Sequence, residues 1–466
     1  LTVRGLIAEG ADFAAESRIS AANAVVLMAR DLTQADSLVE VTGTGSRIAL
    51  TTTADARLGG RIEANESIEV QAGRDVSLEA AMTAGNRIEI SGGQAGNGSV
   101  AGNVFADLRT TAVGSDIHIT AGEFGGDINL NGSLVTVADG IRLSTPLGSV
   151  RHTGGLLVGE LLTIRAFSGA IVRTDIARVD AVVSARGDIS IDNVGAIELV
   201  DVTAADGLIS VVAGGDVVAT KVVSQGTGTG TGTGIVIRTR LVGATANLSF
   251  DTVSAAGFGD VTLDASGAIT QRGGPLKADQ ITVKVNGGLT LAIDGNAFSL
   301  ETRGSGDVAI SSVGTGNLLL DVVNILDGDL TVTALGTVEL GQVTIATESS
   351  SDGSDDNVIT IDTTGSVGAG DILVRFAGFR DYVETSNGSL ARQIARLDNG
   401  NVVFDQNGAV VFDLVAVASL ISDGDIVLRA KGRVTESSVD DDVDLIADSL
   451  TIRAASGVVG LEVTVN

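Results

Sequence analysis

The chain has no cysteine and no tryptophan, and only one tyrosine, two prolines and two methionines in 466 residues. Without cysteine there is no disulfide framework and no thiolate metal site. Aromatic residues make up 3% of the chain although 44% is hydrophobic, so the apolar mass is Val, Ile, Leu and Ala. Irregular globular cores use large rings to fill uneven volume. This composition asks instead for a thin, regular core that small branched side chains fill in layers. Positive charge is also scarce: 30 Lys+Arg stand against 58 Asp+Glu, a net of −28. DNA, RNA and anionic membrane surfaces repel such a polyanion, so none of them is expected as a partner. No run of about 18 uninterrupted apolar residues is present, so no membrane span is expected. No charged-then-apolar leader opens the sequence.

Glycine is abundant, at 62 residues, and so is repetition. A motif of Gly-Asp, an aliphatic, any residue and a second aliphatic recurs. It stands at Gly126-Asp127-Ile128-Asn129-Leu130, Gly187-Asp188-Ile189-Ser190-Ile191 and Gly259-Asp260-Val261-Thr262-Leu263. It returns at Gly306-Asp307-Val308, Gly328-Asp329-Leu330, Gly370-Asp371-Ile372 and Gly424-Asp425-Ile426. Each copy reads as a turn followed by a strand of period two, with Ile189 and Ile191 inward and Ser190 outward.

The spacing between copies defines the architecture. Ile48, Ile68 and Ile88 lie 20 apart, and Ile189, Ile197, Ile209 and Val217 step by 8, 12 and 8. The same 8 and 12 recur from Val261 through Ile269 and Ile281 to Leu289, and from Leu318 through Leu330 to Val338. Residues 162–171 align without gaps to residues 450–459. A period of about 20 residues in strand-sized pieces means a solenoid. Helical repeats would show i, i+3, i+4, i+7 patterning, and a propeller blade needs about 40 residues. The expected fold is therefore all-β: a parallel β-helix with about 20 residues per coil. A single coil cannot bury its inner face, so neighbours must do it. Proline would remove a ladder donor, which accounts for its restriction to Pro146 and Pro275. About 23 coils rising about 4.8 Å each would make a rod of roughly 110 Å. Both ends read as strands cut in mid-pattern, as in a segment of a longer chain.

The expected organisation is a solenoid over 1–374, an irregular insertion over 375–414, and a solenoid again over 415–466. The insertion holds Phe376, Phe379, Tyr382, Phe404 and Phe412, a large share of the aromatics. Within it, 389–397 reads as a short helix, and coiling resumes near Val402.

The Gly-Asp strands followed by an Ala/Ser-Gly turn and a second strand, as in Gly259 to Thr270, resemble the coils of filamentous-haemagglutinin-type exoproteins. The resemblance covers about four fifths of the chain. It implies a right-handed parallel β-helix and a role in adhesion or extended display on a bacterial surface. The secretion domain that marks that family's N-terminal region is not recognisable.

Few residues suggest chemistry. His118 is an outward strand position and His152 follows the Pro146 loop; neither has a general-base constellation in the sequence. Two acidic runs offer hard oxygens for Ca²⁺: Asp352, Asp355 and Asp356, then Asp440, Asp441, Asp442 and Asp444. Neither matches an EF-hand or a Ca²⁺-binding nonapeptide. In the insertion, Arg375, Phe379, Arg380, Tyr382, Arg392 and Arg396 are candidate ligand contacts. The leading expectation is a non-catalytic, rod-like spacer in a secreted extracellular fibre or adhesin, with no cofactor save a possible Ca²⁺. Its partners would be adjoining coils of a longer chain, further copies, or a host or neighbouring-cell surface. The alternatives are a ligand-binding module using 375–414 and a polysaccharide-active enzyme on the same fold.

Overall fold

A computed structural model describes the chain except residues 1, 16–17, 36, 80, 95–97, 103–105, 123–124, 133, 227–233, 241–244, 258, 346–356, 375–381, 385–389, 396, 399–400, 403–411, 417–419, 423, 437–443 and 466. Side chains are described from Arg18 onward, outside those gaps and outside 375–419, 421 and 464. The fold is all-β, a parallel β-solenoid of about 16 turns with roughly 22 residues per turn, and no helix occurs among the described residues. The chain divides into two compact units, Leu1–Ser266 and Gly267–Asn466.

In the first unit a coil is built from three short strands. Leu38–Val41, Arg47–Thr52 and Ala56–Leu58 form one coil; Arg61–Ala64, Ser67–Ala72 and Val76–Leu78 form the next. Each strand pairs in parallel with its counterpart, as in Val39↔Ile62, Ile48↔Ile68 and Ala56↔Val76. Identical registers repeat, so one inward column runs Val25, Ile48, Ile68, Ile88, Ile117, Ile141, Leu162 and Val179. All eight are essentially inaccessible to solvent. Period-two alternation puts every second side chain into such a column, and stacking removes it from water. Ile189 and Ile191 are buried while Ser190 between them is not, as the alternation requires. Phe250, one of the few buried rings, stacks over Ala219, whose small side chain leaves it room.

In the second unit the same arrangement carries Leu289, Val308, Leu330, Ile359 and Ile426. Leu318 pairs with Val338, as their spacing implies. The expected 20-residue step holds from Ile48 to Ile68 to Ile88. It lengthens where Ile88 pairs with Ile117 and Leu330 with Ile359. The turns number about 16 rather than the expected 23, and those longer coils and the insertion before Ile426 take up part of the difference.

The recurrent aspartate has a structural role that its turn position alone does not disclose. Its carboxylate accepts a backbone N–H at the matching position of the next coil. Leu208 N–H donates to Asp188 Oδ1 at 2.8 Å, Ser149 to Asp127 at 2.7 Å, Val358 to Asp329 at 2.8 Å and Arg433 to Asp371 at 2.7 Å. Along one corner of the first unit such bonds link Asp31, Asp55, Asp75, Ser99, Asp127 and Ser149 in turn. These positions precede the strand, where the backbone N–H leaves the ladder and needs an acceptor.

A second corner device is buried. Asn193 Oδ1 accepts from Thr174 Oγ1 at 2.7 Å and from Ile176 N–H at 3.0 Å, while its Nδ2 donates to the Gly195 and Ala196 carbonyls, both at 3.0 Å. Asn193 and Thr174 are 2% and 0% exposed. Asn193→Ala leaves these groups without their partner and is expected to lower stability by about 2 kcal/mol. Denaturant unfolding measures it; a loss under about 0.5 kcal/mol would mean that water replaces the side chain.

The insertion departs from the expected helix. Leu390–Ala395 is a strand, antiparallel to Tyr382–Glu384 and to Phe412–Ala416. Asn401–Val402 pairs antiparallel with Leu397–Asp398, so parallel stacking resumes not at Val402 but at Leu420, which pairs with Val343.

Candidate functional site

Among the described residues, the aspartate clip occurs in one buried version, in the second unit. Asp444 immediately precedes Leu445–Ala447, and Glu462 immediately precedes Val463–Val465. The register Leu445↔Val463 therefore stacks Asp444 and Glu462 one coil apart. Glu462 N–H donates to Asp444 Oδ2 at 3.0 Å, and Asp444 N–H donates to the Glu462 carbonyl at 2.9 Å. Glu436, the last residue of Val434–Glu436, completes the group: one carboxylate oxygen from each residue lies within 4.8 Å of the other two. Asp444 is 2% exposed, whereas the clips at Asp127, Asp188 and Asp371 lie at the surface. Glu462 Oε2 is wholly buried and has no hydrogen-bond partner.

Burial pushes the Asp444 carboxyl up to about 7, against the hydrogen bond from Glu462 N–H; the charges of Glu436 and Glu462, and a hydrogen bond that protonated Asp444 can donate to the Glu462 carboxylate, raise it further. The folded chain therefore holds this proton more tightly than the unfolded chain, where an ordinary carboxyl titrates near 4. Stability at this site rises as pH falls from about 7 toward 4 and is lowest above 7. In metal-free buffer the amides of Leu445–Ala447 are expected to be better protected from hydrogen exchange at pH 5 than at pH 7.5, after correction for intrinsic rates. Equal protection would mean that Asp444 titrates like an exposed carboxyl.

Of the acidic residues singled out in the sequence, only Asp444 falls among the described residues. Asp352, Asp355, Asp356, Asp440, Asp441 and Asp442 lie outside them, as do Arg375, Phe379, Arg380 and Arg396. Tyr382 and Arg392 are backbone register partners on antiparallel strands. Sequence reasoning missed Glu436 and Glu462. The available signal was the shared pattern of an acid followed by a strand, Asp444-Leu445-Ile446-Ala447 and Glu462-Val463-Thr464-Val465.

His118 is half-buried on Asp116–Thr120, with the Arg87 guanidinium 3.3 Å from Nδ1. Burial, then the Arg87 charge, depresses its pKa, which favours the neutral imidazole. His152 is buried. A shallow groove of about 640 Å³ in the second unit is lined by Gln271, Thr290, Asp307, Ser311, Thr331 and Thr333, among others. Asp307 already accepts the Asp329 N–H at 3.1 Å, and Gln271 is engaged with the Gly274 and Ala292 backbone. Among the described residues no helix is long and apolar enough to cross a membrane.

The fold places the chain among parallel β-solenoid repeat proteins. No family model, curated protein or solved structure matches it.

Proposed function

We propose that the chain is a rod-like spacer segment of a long extracellular bacterial surface fibre or adhesin, without catalysis. The observation that carries this reading is the unbroken inward column within each unit, as from Val25 to Val179, clipped coil to coil by aspartates. Each coil touches only its neighbours, so opening proceeds from an end or from an irregular loop. The surplus of 58 acidic over 30 basic residues keeps neighbouring segments apart in solution. The resemblance to haemagglutinin-type coils supports surface display, through the Gly-Asp strands quoted above. Electron micrographs of native cells, labelled with antibody to this segment, test the reading. Label along fibres outside the cell is expected; label confined to the cell interior would overturn it.

A second reading has a specific observation behind it. The antiparallel strands Tyr382–Glu384, Leu390–Ala395 and Phe412–Ala416 interrupt a parallel stack that needs no such element for its core. In this reading the insertion contacts a ligand on a host or neighbouring cell. Deleting residues 375–414 would then abolish cell binding while leaving the exchange protection of the coils intact.

A further inference from the structure

Glu436, Asp444 and Glu462 present three carboxylates and no nitrogen or sulfur donor, with Asp444 2% exposed. An acidic group of this kind is ordinarily a solvated surface feature. Two properties set this one apart. Its central member is inside the protein, and Glu462 Oε2, fully buried, receives no hydrogen bond from any donor. A buried carboxylate oxygen without a donor is costly to maintain and calls for a shared proton or a bound cation. The donors are all hard oxygens, which suit Ca²⁺, Mg²⁺ or Mn²⁺ rather than a thiophilic ion. Oxygens within 4.8 Å of one another can be bridged by an ion with metal–oxygen distances of about 2.3–2.6 Å, the range of Ca²⁺. Three carboxylates supply three to six oxygens, according to whether each binds through one or both, and water fills the remainder of a shell of about six to eight.

We propose that Glu436, Asp444 and Glu462 bind one Ca²⁺ ion, which ties the coil of Leu445–Ala447 to that of Val463–Val465. Glu436 is brought in from the end of Val434–Glu436, so the ion joins three strand ends. The parallel register aligns them before any ion arrives. The site stands whether or not the chain belongs to a fibre.

The test is hydrogen exchange on the full chain at pH 7.5, with EDTA, with 1 mM CaCl₂ and with 1 mM MgCl₂. An affinity near 10⁻⁴ M, ordinary for extracellular Ca²⁺ sites, would raise protection of the Leu445–Ala447 and Val463–Val465 amides about tenfold. Glu462→Gln keeps shape and removes a charge. It is expected to fold, to be better protected than the wild type in EDTA, and to lose the Ca²⁺ response. Asp444→Asn should behave likewise. Reading only these strands separates the site from any Ca²⁺ held elsewhere on an acidic chain. An unchanged wild type, or a Glu462→Gln variant that responds as strongly as the wild type, would overturn the proposal. Equal protection by Mg²⁺ would overturn the assignment to Ca²⁺.

Discussion

Ile68→Asp is expected to cost about 4–5 kcal/mol and to open the coils on both sides of the substitution. Ile68 is 0% exposed and stacked in register between Ile48 and Ile88, which are equally buried. An aspartate there has no donor within a purely aliphatic column. It must either carry a charge in low dielectric or hold its proton at neutral pH, and both are expensive. The control is Ile68→Val, which removes one methylene and should cost about 1 kcal/mol. Hydrogen exchange with peptide resolution reads the result, because solenoids open coil by coil. Protection should collapse over residues 47–91 of Ile68→Asp and persist in the second unit. Wild-type protection at 47–91 would mean that the column is not a dry core.

The second large effect concerns backbone proximity. Gly214 does not have a left-handed conformation; it is needed because the coil beneath comes too close. A Cβ built on it would sit 1.9 Å from the Val194 carbonyl oxygen, a backbone atom with nowhere to go. Its own N–H already donates to the Asn193 carbonyl at 2.9 Å, which fixes the approach. Gly214→Ala is therefore expected to cost about 3 kcal/mol, the upper part of the overpacking range. Gly114 provides the contrast. It has φ +74° but nothing within 4 Å of a Cβ, so Gly114→Ala pays only left-handed strain, about 1–2 kcal/mol. Denaturant midpoints of the two variants rank them. If Gly114→Ala proves the more damaging, crowding between coils is not what selects glycine at these corners.

The legible parts of this protein are those whose cause is local in the chain. The alternation at Ile189, Ser190 and Ile191 is a property of consecutive residues, so inward and outward faces follow from the sequence. The 20-residue recurrence of Ile48, Ile68 and Ile88 likewise exposed the stacking, and the structure pairs them as their spacing implies. What escaped depends on which coil lies against which. The carboxylate of Asp188 acts on Leu208 in the next coil, and nothing near Asp188 in the sequence announces that partner. Glu436 and Glu462 join Asp444 only through the pairing of the final strands. The stretch Leu390-Ala391-Arg392-Gln393-Ile394-Ala395 is rich in helix formers, and pairing on both sides overrides that preference. The coil count was too high in part because coils were assumed uniform.

That unevenness has a consequence for how such a chain can change. Ile88 meets Ile68 after 20 residues and Ile117 after 29, yet all three are fully buried. The buried columns constrain only the positions that point inward; the length of chain spent at a corner is left open. Foreign peptides grafted at the bend that precedes Ile117 should therefore be carried without disturbing the layers on either side. A lineage of these chains can diversify its outer surface by lengthening bends while its interior stays conserved.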